Sequence, residues 1–208
     1  WVSLMRGAPT MNGYSGFFPS GYSFYYGSNC SEMVRRVKSY LLFVRRFEDI
    51  SAYRALMARI VPVGFSDCDA SWLDHPPPFS IATRKYTPDQ FRQLSYRFGN
   101  LARTDDGVTV SIIVANAGDE PISALSAVGT PVRAGWRFLH ADGSPASGWD
   151  TTRLELPFDI PAKGELTLKI PVNPAQEVKG GTLQVSLVQE NRFWGHDVGL
   201  APLSIKWD

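Results

Sequence analysis

The chain has 208 residues, enough for one large domain or two small ones, each with its own core. Its 44% hydrophobic and 20% charged content excludes wholesale disorder. A formal net charge of +1 argues against a nucleic-acid partner held by a basic surface. No apolar run approaches the length that spans a bilayer as a helix.

The chain opens at Trp1 with no basic n-region and no apolar h-region, as a piece of a longer polypeptide would. Residues 7–28 mix Gly, Ser and Pro with Tyr14, Phe17, Phe18, Tyr22, Phe24, Tyr25 and Tyr26. That apolar load predicts a structured, adhesive loop rather than a flexible linker. Asn29 and Glu32 resemble a capping box ahead of a helix. Its apolar positions are Met33, Val37, Leu41 or Tyr40, Val44 and Phe47, with Arg35, Arg36, Lys38, Arg45 and Arg46 largely elsewhere on a solvated cationic face.

Tyr53, Leu56, Met57 and Ile60 mark a second helix, leading into a short strand over residues 60–65. Residues 67–78 are irregular, and Asp67, Asp69 and Asp74 read as a solvated acidic loop. Cys30 and Cys68 either pair, stabilising by roughly 4 kcal/mol through loop closure, or remain two thiols. Thr87, Pro88 and Gln90 make a strong helix start. Phe91, Leu94, Tyr96 and Phe98 supply its apolar residues, and Gly99 its stop.

From Val108 the period becomes two. Val108, Val110, Ile112 and Val114 alternate with polar or smaller neighbours, and the pattern returns at Val132–Phe138, Leu166–Val172, Leu183–Leu187 and Leu203–Trp207. Turn signals fall at 116–121, 142–143, 163–164, 179–181 and 190–191. This predicts an α+β chain in which a small α/β unit, 1–104, precedes an immunoglobulin-like antiparallel β-sandwich, 105–208. The polar stretch 104–107 is the expected boundary.

The residues give no sign of catalysis. The chain lacks a nucleophile elbow, a phosphate-binding glycine loop and a metal-binding His pair, so no catalytic residue, metal or cofactor is expected. His75, His140 and His196 are scattered, and His196 and Asp197, if on a strand, point to opposite faces. Aromatic side chains are the better lead, because sugar rings stack on them while amides and charged groups take the hydroxyls. Trp136 and Trp207 fit a sandwich core. Trp149 beside Asp150, and Trp194 near Arg192, sit by turns and are candidate ligand-binding residues.

Two segments carry a family resemblance. Thr10-Met11-Asn12-Gly13-Tyr14-Ser15-Gly16-Phe17-Phe18-Pro19, followed by the helix ending Arg46-Phe47-Glu48-Asp49, resembles the soluble extracytoplasmic region of bacterial polytopic GT-C-type glycosyltransferases that use lipid-linked sugars. Residues 183–193, LQVSLVQENRF, resemble the penultimate strand of β-sandwich modules appended to such proteins, and of sugar-binding sandwiches in O-antigen exporters. The resemblance implies a non-catalytic accessory region on the periplasmic face of the inner membrane. Its partners would be the membrane-embedded part of the same polypeptide and a glycan or lipid-linked sugar. It adds Asn12, Tyr14 and Ser15 to the candidate ligand-binding residues. The alternative is a free-standing carbohydrate-binding or adhesion module with the same sandwich.

Overall fold

Local periodicity and caps become two compact units, which divide between Pro76 and Pro77 in the computed structural model. The structure describes residues 30–61, 70–73, 75–104 and 107–207. The candidates Asn12, Tyr14, Ser15 and Cys68 lie outside them. The backbone of Cys30 opens a helix, and the Cys30–Cys68 pairing lies outside the described residues.

In the first unit, α1 (Cys30–Phe43) buries Val34, Val37 and Leu41, and α2 (Ile50–Met57) buries Ala52, Tyr53 and Met57. The Asp49 carboxylate caps α2, accepting from the Ala52 N–H at 2.9 Å. The Ser51 hydroxyl, that amide and Arg46 hold the Asp49 carboxyl well below the usual range. Tyr53 donates its hydroxyl proton to the Trp72 carbonyl at 2.7 Å.

Two expectations fail in this unit. Helix α1 stops at Phe43, and Arg45 adopts φ 60°, so Val44 is exposed instead of extending the apolar face. The cationic face is not wholly solvated: Arg35 and Lys38 are buried, with Lys38 donating to the Phe47 carbonyl at 3.1 Å and lying over its ring. A lysine stem can pack on apolar surface while its ammonium finds a carbonyl and a ring face. Ile60 and Val61, the first residues of the expected strand over 60–65, form no strand, and the rest of that segment lies outside the described residues.

The second unit starts with α3 (Pro88–Arg92), where Thr87 and Gln90 complete the predicted capping box. The helix then ends early. Leu94, Tyr96 and Phe98 belong to β2 (Leu94–Thr104), because their spacing is two, which fits a strand better than a helix. Gly99 sits at a register shift against β3 (Gly107–Asn116), where a Cβ would meet the Ser111 carbonyl at 3.0 Å. Thr104 pairs with Gly107, and both lie in the unit that begins at Pro77, so the division falls at 76/77 and not at 105.

Two antiparallel sheets follow. The first has the order β2-β3-β7, with β7 spanning Gly164–Val172. The second has the order β10-β8-β5-β6, from β5 (Val132–Leu139), β6 (Leu154–Glu155), β8 (Gly181–Gln189) and β10 (Leu203–Trp207); β9 (Phe193–Trp194) pairs with β8. Separately, β1 (Ile81–Ala82) pairs in parallel with β4 (Leu125–Ser126). The partition of the two larger sheets is immunoglobulin-like, with the first, second and fifth principal strands against the third, sixth and seventh, while the fourth, β6, pairs with β5 on the second sheet.

Alternation builds the core as predicted. Val110, Ile112, Leu168 and Ile170 are fully buried on the first sheet, as are Ala134, Leu183, Val185 and Leu187 on the second. Each buried Val or Leu contributes about 1.5–3 kcal/mol. Trp136 and Trp207 are core residues, and Trp207 meets Phe138 edge-to-face at 5.2 Å. The Tyr96 hydroxyl on β2 accepts from the Leu187 N–H on β8 at 2.9 Å, tying the sheets together. Burial pushes the ionisation of that hydroxyl upward.

Candidate functional site

Because β5 alternates, turning Trp136 inward turns Arg133, Gly135 and Arg137 to the opposite face of the sheet. On that face three rings from separate segments come together. Trp149 stands in a short 3-10 turn, Trp149–Thr151, before β6. Trp194 ends β9, and His196 lies in the following 3-10 turn, Gly195–Val198.

The imidazole of His196 stacks with Trp149 at 4.8 Å between centroids and with Trp194 at 5.5 Å. The two indoles are 5.2 Å apart with a 42° tilt. Arg137 lies over Trp149 at 4.6 Å, and Arg153 over Trp194 at 4.5 Å. All three rings are half-buried. Ring–ring and cation–π contacts of this kind each contribute about 0.5–1.5 kcal/mol, so the cluster is a stiff surface layer.

Polar groups fix its members. Arg153 donates to Glu190 at 2.9 Å, to Asp150 at 3.1 Å and to the Trp149 carbonyl at 2.6 Å. The Asp197 carboxylate accepts the Trp194 N–H at 3.2 Å. His196 Nδ1 is 3.1 Å from the Ser186 hydroxyl. Burial lowers the His196 pKa, with Arg137 acting in the same direction and Asp197 opposing it. The ring is therefore neutral at pH 7 and stacks as an uncharged aromatic.

The structure thus unites Trp149, Trp194 and, through Arg153, Asp150. It does not unite Arg192 with them: that guanidinium lies over Phe193, which alternates away from Trp194 and packs edge-on against Phe91 at 5.0 Å. His196 and Asp197 occupy a turn, not a strand, and approach to 3.9 Å. Arg137, Arg153 and His196 are the site members that sequence reasoning missed. One signal for them existed: Gly135 between Arg133 and Arg137, since a glycine inside a strand marks a close approach.

Among the described residues no group of His, Cys, Asp and Glu could hold a metal ion. No helix among them is long and apolar enough to cross a membrane.

No family model matches the chain, and no curated protein matches it. Among solved structures, it is similar to a β-glucosidase from Kluyveromyces marxianus in complex with glucose, at 18% identity over 55% of this chain and 14% of that one, with a TM-score of 0.24. It is also similar to the E. coli curli protein CsgC, at 15% identity over 55% of this chain and 97% of that one, with a TM-score of 0.22. At these scores neither likeness bears on function.

Proposed function

We propose that this chain is a non-catalytic accessory region of a bacterial inner-membrane glycosyltransferase-like protein, on the periplasmic face. Its sandwich holds a glycan or lipid-linked sugar at the face formed by Trp149, His196 and Trp194. The observation that supports this is the convergence of two half-buried indoles and an imidazole on one sheet face, ringed by hydrogen-bonding side chains. Partly exposed indoles offer apolar surface to sugar C–H groups, and Arg137, Gln184 and Asp150 lie close enough to serve hydroxyls. In the first unit, Tyr40, Phe43, Val44 and Ile50 are exposed, apolar surface of the kind a membrane-embedded partner would cover.

The test is titration of the chain with a panel of oligosaccharides, read by tryptophan fluorescence. Trp194→Ala is expected to weaken binding about thirtyfold, as loss of an aromatic anchor does, with far-ultraviolet circular dichroism unchanged. Unchanged affinity would remove this site. Immunoblots of fractionated source cells separate the accessory region from a free-standing sugar-binding module. A band far above the 23.1 kDa of this chain, in the inner membrane, is expected; a soluble band of that size would favour the free-standing module.

A further inference from the structure

Three arginines lie at the sugar-facing surface, and two are neutralised. Arg133 pairs with Glu155 at 3.1 Å and Glu190 at 3.5 Å, and Arg153 pairs with Glu190 and Asp150. Arg137 differs. Among the described residues no carboxylate pairs with it; its Nε and Nη2 both donate to one amide oxygen, Gln184 Oε1, at 3.1 and 3.0 Å. The Gln184 amide nitrogen donates in turn to the Ser204 hydroxyl at 3.2 Å, which orients that oxygen toward the guanidinium. Nη1 donates to no group among the described residues and is not buried. Yet the side chain is half-buried against Trp149, and burial lowers its pKa.

A partly desolvated cation held in place without a counter-charge is costly unless an anion completes it. Its planar fork suits an oxyanion, and Gln184 fixes the plane in advance. We propose that Arg137 reads a negative charge on the bound sugar, so that the site takes acidic glycans, through a carboxylate or a phosphate, in preference to neutral ones. This rests on the glycan-binding reading above and narrows it. His196 belongs to the same arrangement as an uncharged ring, leaving the positive charge on Arg137.

The experiment titrates the whole chain with three probes: a hexuronate oligosaccharide, a hexose 1-phosphate and a neutral hexose oligosaccharide. Wild type is expected to bind one charged probe about tenfold or more tightly than the neutral one, with added salt eroding the difference. Which charged probe wins distinguishes carboxylate from phosphate. Arg137→Gln is expected to lose the preference and Arg137→Lys to keep part of it. Circular dichroism confirms folding, and the lysine variant keeps the test open if the glutamine variant unfolds. Equal binding of all three probes by wild type, or a preference that survives Arg137→Gln, overturns the assignment and leaves glycan binding standing. Failure of every probe to bind overturns the glycan reading itself, and the assignment with it.

Discussion

The indole of Trp194 rests on the backbone of Gly135. A Cβ at 135 would lie 2.7 Å from Cη2 of that ring, 2.9 Å from Cζ3 and 3.3 Å from the Thr152 carbonyl. Trp149, His196 and Arg153 pack against that ring, so it cannot slide aside without losing those contacts. The missing side chain on β5 is what seats the ring cluster on the sheet.

Gly135→Ala tests this relationship directly. The added methyl must push the ring outward or deform the strand, an overpacking that costs about 1–3 kcal/mol. The urea midpoint is expected to fall, and the near-ultraviolet dichroism of the indoles to change with it. An unaltered near-ultraviolet spectrum would show that Trp194 does not sit there.

His196 gives the fold a pH dependence of known sign. Its folded pKa lies below the ordinary 6.5, chiefly through burial and secondarily through Arg137, against an opposing Asp197. Between those two values the unfolded chain binds the proton and the folded chain does not, so stability rises with pH. The contribution is fully present above 6.5 and is lost as pH falls toward the folded value. Urea midpoints of wild type are expected to drop from pH 7.5 to about 5.5 by more than those of His196→Gln. Identical pH profiles would exclude this linkage.

Asp159 anchors the segments around the small parallel pair. Its buried carboxylate accepts from the Ser80 N–H at 2.9 Å and from the Ala124 N–H at 2.7 Å, immediately ahead of β1 and β4. Asp159→Ala strands two amides, each worth about 1–3 kcal/mol when left unpaired. Asp159→Asn keeps an acceptor oxygen and is expected to cost distinctly less by thermal unfolding. Equal losses would mean that the two hydrogen bonds are not what Asp159 contributes.

Much of the β-rich unit is legible in the chain because alternation reports directly on which face is buried. Val108–Val114, Leu166–Val172 and Leu183–Leu187 form strands, and Trp136 and Trp207 turn inward. The Thr87–Gln90 cap is legible for the same reason: its bonds close within a few residues. Leu94, Tyr96 and Phe98 mislead because a helix start stands just before a strand, and a few apolar residues fit either period.

The sequence by itself determines that this chain is α+β, where its strands alternate and which tryptophans enter the core. These follow from steric and solvation preferences acting between residues two to four apart. Tertiary structure alone decides that residues 77–104 join the sandwich and that Lys38 finds the Phe47 carbonyl. It also decides that Trp149, Trp194 and His196 share one face with Arg137, which has no carboxylate partner among the described residues. Those meetings depend on strand register and turn geometry across distant segments, and the side chains involved carry no local pattern that announces their neighbours.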